Sequence, residues 1–315
     1  MLTLGIDTSN YATSLAVFDT NAGEVVCDCK KFLAVKPGQL GLRQSDALFQ
    51  HTVALPQMIA ELSQKVDLSS VGAIGVSAKP RPVEGSYMPC FLAGSSQGRG
   101  LAHTLGVPFF AHSHQQGHLA AAAWSAGRLD LLDGPFLAWH LSGGTTELLR
   151  VEPQGCSVKG EIIGGTTDIS AGQLIDRTGV LLGLNFPAGK ALDELYSQTD
   201  AGPGYRVKLD GLHFSLSGME NQVKKLLERG EKPADIARFA LNTVCDVVHR
   251  ATVAAQDQYP GLPVLCSGGV ASNRHLRHVL TEFCQAIFAQ PQFATDNAMG
   301  TAILTWRAWR EGGQV

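Results

Sequence analysis

Two histidines are the clearest candidates for chemistry in this sequence. His114 and His118 lie four residues apart, and a run of alanines follows them. Alanine favours helix, and residues four apart on a helix share a face, with Cβ atoms about 5–6 Å apart. This spacing suits two imidazoles on one transition metal. It is equally typical of a histidine-rich helix start held by hydrogen bonds, so the pair alone leaves both interpretations open.

A metal site needs more than two ligands. Asp296, at the start of the last predicted helix, is a candidate third ligand. A carboxylate at that position is also a favourable helix cap, so the sequence alone does not bring it to the histidines. His112 is a weaker candidate, because two residues from His114 it points elsewhere on a regular helix.

Three apolar runs end in turns of small residues, within 2–10, 136–146 and 262–273. Without Cβ atoms in the way, backbone N–H groups in such turns approach an anion closely, and a following helix adds its N-terminal dipole. Three such turns at wide spacing predict a nucleotide held between two lobes. Glycine-rich hairpins that bind nothing are the alternative.

The first two turns also look like a repeat. Residues 4–19 and 140–152 each have the pattern of a strand, a small polar turn and a second strand. A duplicated hairpin predicts two related lobes, each offering one phosphate loop.

An α/β framework must position these turns and histidines. The hydrophobic pattern predicts strands at 2–7, 13–19, 24–35, 71–77, 107–111, 156–163, 262–266 and 286–290, besides the hairpin at 136–152. It predicts helices at 45–65, 91–105, 168–183, 233–257, 274–284 and 296–310. The glycine-rich segment 185–220 receives no assignment. The expected class is α/β, with mixed sheets covered by helices.

Composition restricts the function classes. The 315 residues are 44% hydrophobic and 17% charged, which suits one large or two medium globular domains. A net charge of −3 argues against a free-standing nucleic-acid binder, although a partner could supply the basic surface. Seven irregularly spaced cysteines predict no disulfide framework and fit a reducing cytoplasm. We read no signal peptide and no membrane span.

The order of motifs resembles the tRNA threonylcarbamoyltransferase family (TsaD in bacteria), once labelled glycoprotease or O-sialoglycoprotein endopeptidase. The resemblance covers nearly the whole chain and depends on Gly5–Ser9, His114 with His118, Leu141–Gly144, Ala171–Gly172, Asp176–Arg177, Pro187–Gly189, Phe214–Gly218, Ser267–Asn273 and Thr295–Asn297. It implies the two-lobed actin/hexokinase/Hsp70-like ATPase fold with duplicated mixed sheets and a nucleotide in the cleft. The implied N-terminal lobe is 1–112 with a helix at 297–315, and the C-terminal lobe is 113–296.

The resemblance also implies the site and the reaction. One divalent metal, iron or zinc, would lie on His114, His118 and Asp296, and an ATP- or AMP-type nucleotide or threonylcarbamoyl-AMP would bind nearby. The implied substrate and nucleotide residues are His140, Leu141, Ser142, Gly143, Gly144, Asp176, Gly189, Asp193 and Asn273. The implied reaction moves threonylcarbamoyl to N6 of adenosine 37 in tRNA. The implied partners are tRNA, reached through partner subunits, and TsaB-like and TsaE-like proteins, with a homo- or heterodimer as the assembly.

The chain departs from the family pattern around the acceptor. Tyr11 and Ala12 stand where the family has an acidic pair, Thr145 replaces a histidine, and Glu220 replaces a base. Such changes predict a diverged paralogue with another acceptor or weak activity, unless Tyr11 is a functional replacement. A non-catalytic nucleotide-binding partner of the tRNA-modification complex is the alternative.

Two further classes fit less well. A metallopeptidase lacks a general base, because Gln115, Gln116 and Gly117 lie between the histidines in place of a His-Glu-x-x-His motif. A sugar or acyl kinase of the same superfamily would use Asp7 as its catalytic carboxylate, which leaves the histidine pair unexplained.

Overall fold

The computed structural model describes residues 1–35, 42–200, 202–293 and 298–312. Over these residues the strands are β1 Leu2–Thr8, β2 Ala12–Asp19, β3 Glu24–Phe32, β4 Val71–Lys79, β5 Phe109–Ser113, β6 Phe136–Leu141, β7 Thr146–Gln154, β8 Ser157–Thr166, β9 Leu209–Asp210, β10 His213–Phe214, β11 Val264–Ser267 and β12 Ile287–Phe288. The helices are α1 Gln44–Ser63, α2 Phe91–Leu105, α3 His114–Ser125, α4 Ala171–Leu181, α5 Gly189–Tyr196, α6 Ser217–Glu228, α7 Pro233–Gln258, α8 Arg274–Cys284 and α9 Met299–Arg310.

The first sheet has five strands in the order β3-β2-β1-β4-β5. β1 and β2 form an antiparallel hairpin that pairs Thr8 with Thr13 next to the small polar turn, whereas β1, β4 and β5 run parallel. β1 and β2 are buried almost throughout, as expected for strands covered on both faces. Glycine lets α9 approach this sheet closely, since a Cβ on Gly5 or Gly75 would overlap α9 or its N-cap residue, Ala298.

The second sheet repeats this topology. Its order is β12-β11-β6-β7-β8-β10-β9, so β8-β7-β6-β11-β12 corresponds strand for strand to the first sheet. The β6–β7 hairpin pairs Leu141 with Thr146, and β11 joins β6 in parallel. Trp139, which is fully buried, anchors the core below this hairpin and donates a hydrogen bond from Nε1 to Thr252 Oγ1 on α7. The predicted duplicated hairpins and duplicated mixed sheets are confirmed.

The chain divides into two compact units. The first holds Met1–Gly134, Glu152–Gly160 and the C-terminal residues from Thr295, and the second holds Pro135–Val151 and Glu161–Ala294. In this division α3 belongs to the first unit, where it packs against α9. The lobe boundary after residue 112, which the family resemblance implies, stays a prediction. The predicted nucleotide position in the cleft stays a prediction.

Most predicted elements are found, with local differences. The unassigned segment 185–220 forms α5, the β9–β10 pair and the start of α6. All seven cysteines are free thiols, as the irregular spacing predicts. Among the described residues, no helix is both long and apolar enough to cross a bilayer.

Candidate metal centre and ligand cavity

A capping box fixes the start of α3, where the histidine pair lies. Ser113 Oγ accepts from the Gln116 amide at 3.2 Å, and Gln116 Oε1 accepts from the Ser113 amide at 2.8 Å. The Gln116 side chain also donates from Nε2 to the Val158 carbonyl at 2.8 Å. Gln116 therefore serves structure, and the position between the histidines offers no carboxylate base for peptide hydrolysis.

The two imidazoles contact each other at nearly a right angle. His114 Nε2 and His118 Nε2 are 2.9 Å apart, with the ring planes at 81° and the centroids 4.3 Å apart. The Nδ1 atom of His114 lies 2.8 Å from Oδ2 of Asp7, a buried carboxylate near the end of β1. Two imidazoles on a tetrahedral zinc, with Zn–N bonds of about 2.0–2.1 Å, place their nitrogens ~3.3 Å apart. The pair is thus close to the spacing that a shared metal requires.

The third predicted ligand, Asp296, lies outside the described residues. Within them, no group of three or more histidine, cysteine, aspartate or glutamate side chains is arranged to hold a metal. The described chain resumes at Ala298, whose amide donates to Ser14 Oγ at 2.9 Å. Two residues later, Gly300 packs so tightly on α3 that a Cβ there would overlap the Gly117 carbonyl oxygen. Gly300, near the start of α9, therefore lies against α3 between the two histidines.

His112 lies on strand β5, not on the helix that the spacing argument assumed, and its ring contacts α9. Its Nε2 is 3.2 Å from Thr305 Oγ1 on α9. The Thr305 hydroxyl donates its proton to the Thr301 carbonyl, so the His112 ring donates to Thr305. Burial lowers the pKa of His112 to about 4, so this ring is neutral at pH 7 and serves packing.

A cavity of about 470 Å³ lies in the second unit. Five predicted binding residues line it: Gly143, Asp176, Gly189, Asp193 and Asn273. They come from the β6–β7 turn, the α4 and α5 helices and the N-cap of α8, so the fold gathers residues that are up to 130 positions apart, from Gly143 to Asn273.

Hydrogen bonds hold the polar side chains of this cavity in place. Asp193 Oδ1 accepts from Asn273 Nδ2 at 2.8 Å, and Asp193 Oδ2 accepts from Arg274 Nε at 2.8 Å. Asn273 Oδ1 in turn caps α8 by accepting from the Leu276 amide at 2.9 Å. Asp176 Oδ1 accepts from the Ala188 amide at 2.8 Å, which orients the start of α5.

The other four predicted residues lie on the β6–β7 hairpin without lining the cavity. The Leu141 side chain is fully buried in the core. Ser142 closes the turn, accepting from the Thr145 amide at 3.0 Å. His140 Nδ1 is 3.5 Å from Ser267 Oγ, and Gly144 occupies the open part of the turn. Thr145, the departure from the family histidine, therefore has a structural role through its backbone.

Sequence reasoning missed several lining residues, including Lys190, Ile175 and Leu241. Others belong to quoted motifs without having been singled out: Gly172, Gly269 and Ser272. Position 172 requires glycine, because a Cβ there would overlap the Ser142 carbonyl oxygen. Lys190 carries no local signal in the sequence.

The wall of the cavity combines helix N-termini and a lysine with two aspartates. Three helices begin at its wall, since Gly172 is in the first turn of α4, Gly189 is the first residue of α5, and Asn273 caps α8. Helix N-termini present unpaired N–H groups and the positive end of the helix dipole. Lys190 adds a cationic side chain. The carboxylates of Asp176 and Asp193 also line the cavity and offer acceptors to hydroxyl groups.

Two carboxylates at the start of α6, one of them the departure at Glu220, have structural partners. Glu220 pairs with Arg177 and with Lys224, both at 2.7 Å. Asp168 accepts from the Leu216 and Ser217 amides at the start of α6. Burial opposes ionisation of Asp168, but hydrogen bonds from Ser215 and from these groups outweigh it and lower its pKa.

Solved structures share this fold across nearly the whole chain. Full-length HypF in its phosphate- and nucleotide-bound form is 12% identical, with a TM-score of 0.62, over 100% of this chain and 56% of that one. Component A of (R)-2-hydroxyglutaryl-CoA dehydratase from Acidaminococcus fermentans is 16% identical, with a TM-score of 0.56, over 98% of both chains. A ROK family protein from Streptococcus pneumoniae is 11% identical, with a TM-score of 0.52, over 99% of both.

The duplicated sheets and these likenesses define a fold of the actin/hexokinase/Hsp70-like class, as predicted. Within that class, the sequence model for tRNA N6-adenosine threonylcarbamoyltransferase (TsaD) matches residues 13–303. A protein of that name from Aromatoleum aromaticum is 30% identical over 333 aligned positions, which cover 100% of this chain and 94% of that protein. The chain belongs to the TsaD family of tRNA-modifying transferases, the family that its motifs resemble.

Proposed function

We propose that this protein transfers the threonylcarbamoyl group from threonylcarbamoyl-AMP to N6 of adenosine 37 in tRNA. The observation that carries the proposal is the histidine pair, whose Nε2 atoms lie 2.9 Å apart in a chain of this family. The kinase alternative leaves this pair of converging imidazoles without a role, and the peptidase alternative lacks its base.

A divalent metal, iron or zinc, would be held by His114, His118 and Asp296. The donor set fits, because imidazole and carboxylate ligands suit both metals. When bound, the metal supplies Lewis acidity that polarises the carbonyl of the mixed anhydride. Gly300 packs on α3 between the two histidines, and Asp296 lies four residues before it in the sequence, which supports Asp296 as the third ligand.

The cavity of the second unit would bind the adenylate part of the donor. The N-termini of α4 and α8 would face its phosphate, and Asp176 would accept hydrogen bonds from ribose hydroxyls, a usual role for a carboxylate in nucleotide sites. Gly189 leaves space for the nucleoside, because a Cβ there would meet only Ile175, at 3.9 Å. Asp193 already accepts from Asn273 and Arg274, so we assign it to positioning those two residues.

The tRNA would be bound with the help of other subunits. The chain carries a net charge of −3, so its own field does not favour a polyanion. We propose TsaB-like and TsaE-like partners, a homo- or heterodimeric assembly and a cytoplasmic location, in line with the free thiols.

Two binding measurements test the two halves of this proposal separately. Elemental analysis after anaerobic iron or zinc loading and desalting should find one metal per chain in wild type and much less in His114→Ala. His103→Ala, which removes an exposed histidine on α2, is the matched control and should keep the metal. Titration calorimetry with AMP and with a non-hydrolysable threonylcarbamoyl-AMP analogue should find one site, weakened by Asn273→Ala.

The outcomes test the metal site and the adenylate site separately. Equal metal content in wild type and His114→Ala would reject the histidine pair as the metal site. Unchanged analogue affinity in Asn273→Ala would reject the cavity as the adenylate site. Binding of both ligands without any transfer to tRNA would favour the non-catalytic alternative.

A further inference from the structure

The Asp7 carboxylate connects the histidine pair to the first sheet. Asp7 is 1% exposed, and its Oδ2 lies 2.8 Å from His114 Nδ1. We propose that Asp7 is a positioning residue of the metal centre: it fixes the His114 ring and its tautomer so that Nε2 faces His118. This inference rests on the proposed metal site at His114 and His118.

The proton assignment follows from the contacts. A carboxylate accepts hydrogen bonds only, so His114 Nδ1 carries the proton that Asp7 receives. The lone pair of the neutral His114 ring is then on Nε2, the atom that points to His118 at 2.9 Å. Carboxylate–histidine pairs of this kind orient metal ligands and make the imidazole a stronger donor.

The backbone around Asp7 is itself fixed from α1. Asp7 Oδ1 accepts from the Ser9 amide at 2.9 Å, and the Ser9 carbonyl accepts from His51 Nε2 at 2.9 Å. His51 Nδ1 then accepts from the Thr13 hydroxyl, 2.8 Å away on β2. Burial lowers the pKa of His51, which keeps the ring neutral and able to accept at Nδ1. The β1–β2 turn is thus held at both sides by one buried imidazole.

The topology explains why two residues 107 positions apart meet. β1 and β5 both run parallel to β4, so their carboxyl ends lie at the same edge of the sheet. Asp7 is near the end of β1, and His114 directly follows β5. The position where a kinase hypothesis would put a catalytic carboxylate is therefore occupied by the partner of a metal-binding histidine.

Both oxygens of Asp7 accept hydrogen bonds, so replacing the carboxylate by the isosteric amide of asparagine tests this arrangement. In Asp7→Asn a single oxygen cannot accept from both the Ser9 amide and His114 Nδ1. If the oxygen keeps Ser9, the NH₂ group faces Nδ1 and favours the tautomer with its proton on Nε2. A metal would then have to displace that proton, so we expect Asp7→Asn to bind metal poorly although its shape is unchanged.

The test compares metal affinity and ring tautomer in wild type, Asp7→Ala, Asp7→Asn and a matched control. Asp19→Ala is that control, because Asp19 also ends a strand of this sheet and accepts from the amide two residues on at 2.9 Å, but does so at the other end of the β1–β2 hairpin. Competition with a chromophoric chelator for Zn²⁺ should show about 10- to 100-fold weaker binding in both Asp7 variants and none of this loss in Asp19→Ala. The visible spectrum of the Co²⁺ form should change in the same two variants.

Ring-nitrogen NMR of the metal-free protein gives the second readout. Wild-type His114 should be protonated at Nδ1, and Asp7→Ala and Asp7→Asn should shift the population to Nε2. Unchanged zinc affinity and unchanged tautomer in both Asp7 variants would overturn the inference. If wild type binds no zinc, the proposed metal site fails instead, and the tautomer measurement still decides whether Asp7 positions His114.

Discussion

The buried ring of His112 makes a quantitative prediction about pH and stability. Its pKa falls from an ordinary 6.5 to about 4 in the folded protein, because burial removes water from the charged form. Between these two values the unfolded chain binds a proton that the folded protein does not, so the free energy of unfolding decreases as pH falls. The full difference of about 2.5 in pKa corresponds to about 3 kcal/mol. Between pH 7.5 and pH 5 we expect about 2 kcal/mol of it to be lost.

The variant His112→Gln removes this linkage and keeps a donor for Thr305. Urea unfolding at pH 7.5 and pH 5.0 should show wild type losing about 2 kcal/mol more than His112→Gln over this interval. His103→Gln, at an exposed position on α2, controls for the loss of a histidine and should behave as wild type does. Equal pH dependence in wild type and His112→Gln would refute the reasoning, and would mean that the ring is hydrated or protonated in the folded state.

Three further substitutions test the packing and the cavity. Gly300→Ala should lower stability by about 2 kcal/mol or more in thermal unfolding, because its Cβ would overlap the Gly117 carbonyl, whereas Gly218→Ala, with open space around it in α6, should not destabilise. Asp168→Ala should lower stability by about 1–2 kcal/mol at pH 7 and by less at pH 3, since the lowered pKa confines the benefit to the ionised carboxylate; an equal loss at both pH values would contradict this. Asp193→Ala should weaken AMP binding in calorimetry, because Asn273 and Arg274 lose their hydrogen bonds to its carboxylate. An AMP affinity equal to that of wild type would show that Asp193 does not contribute to the site.

Local sequence signals predicted the elements that have clear ends. Helix α2 was predicted with its observed bounds, because its periodic small and apolar residues end at Gly106, which adopts φ +68°. Helix α8 was predicted equally well, since Asn273 caps its start. The elements in segment 185–220 were not predicted, because they are short and lack such local signals. Helix α5 buries only Leu192 in its eight residues. The two-residue strands β9 and β10 exist through pairing, because β10 pairs with β8 and β9 pairs with β10.

The sequence predicted which motifs belong to the site, but it did not predict which side chains contact each other there. Spacing predicted that His114 and His118 share a helix face, and the family resemblance supplied five of the cavity residues. The contact of Asp7 with His114 has no periodic signal, since it depends on two parallel strands ending at one edge. Lys190 was missed because an exposed lysine in the first turn of a helix has no pattern that distinguishes it from a solvated one.

The central claim is transfer of a threonylcarbamoyl group to tRNA, and turnover tests it most directly. The protein would be mixed with unmodified tRNA, threonine, bicarbonate, ATP, an adenylate-forming enzyme and TsaB-like and TsaE-like subunits, with a working TsaD as positive control. The nucleosides would be analysed by mass spectrometry. Our account predicts a threonylcarbamoyladenosine peak with wild type and its loss with His114→Ala. No peak with wild type, beside a full peak from the positive control, would contradict the account.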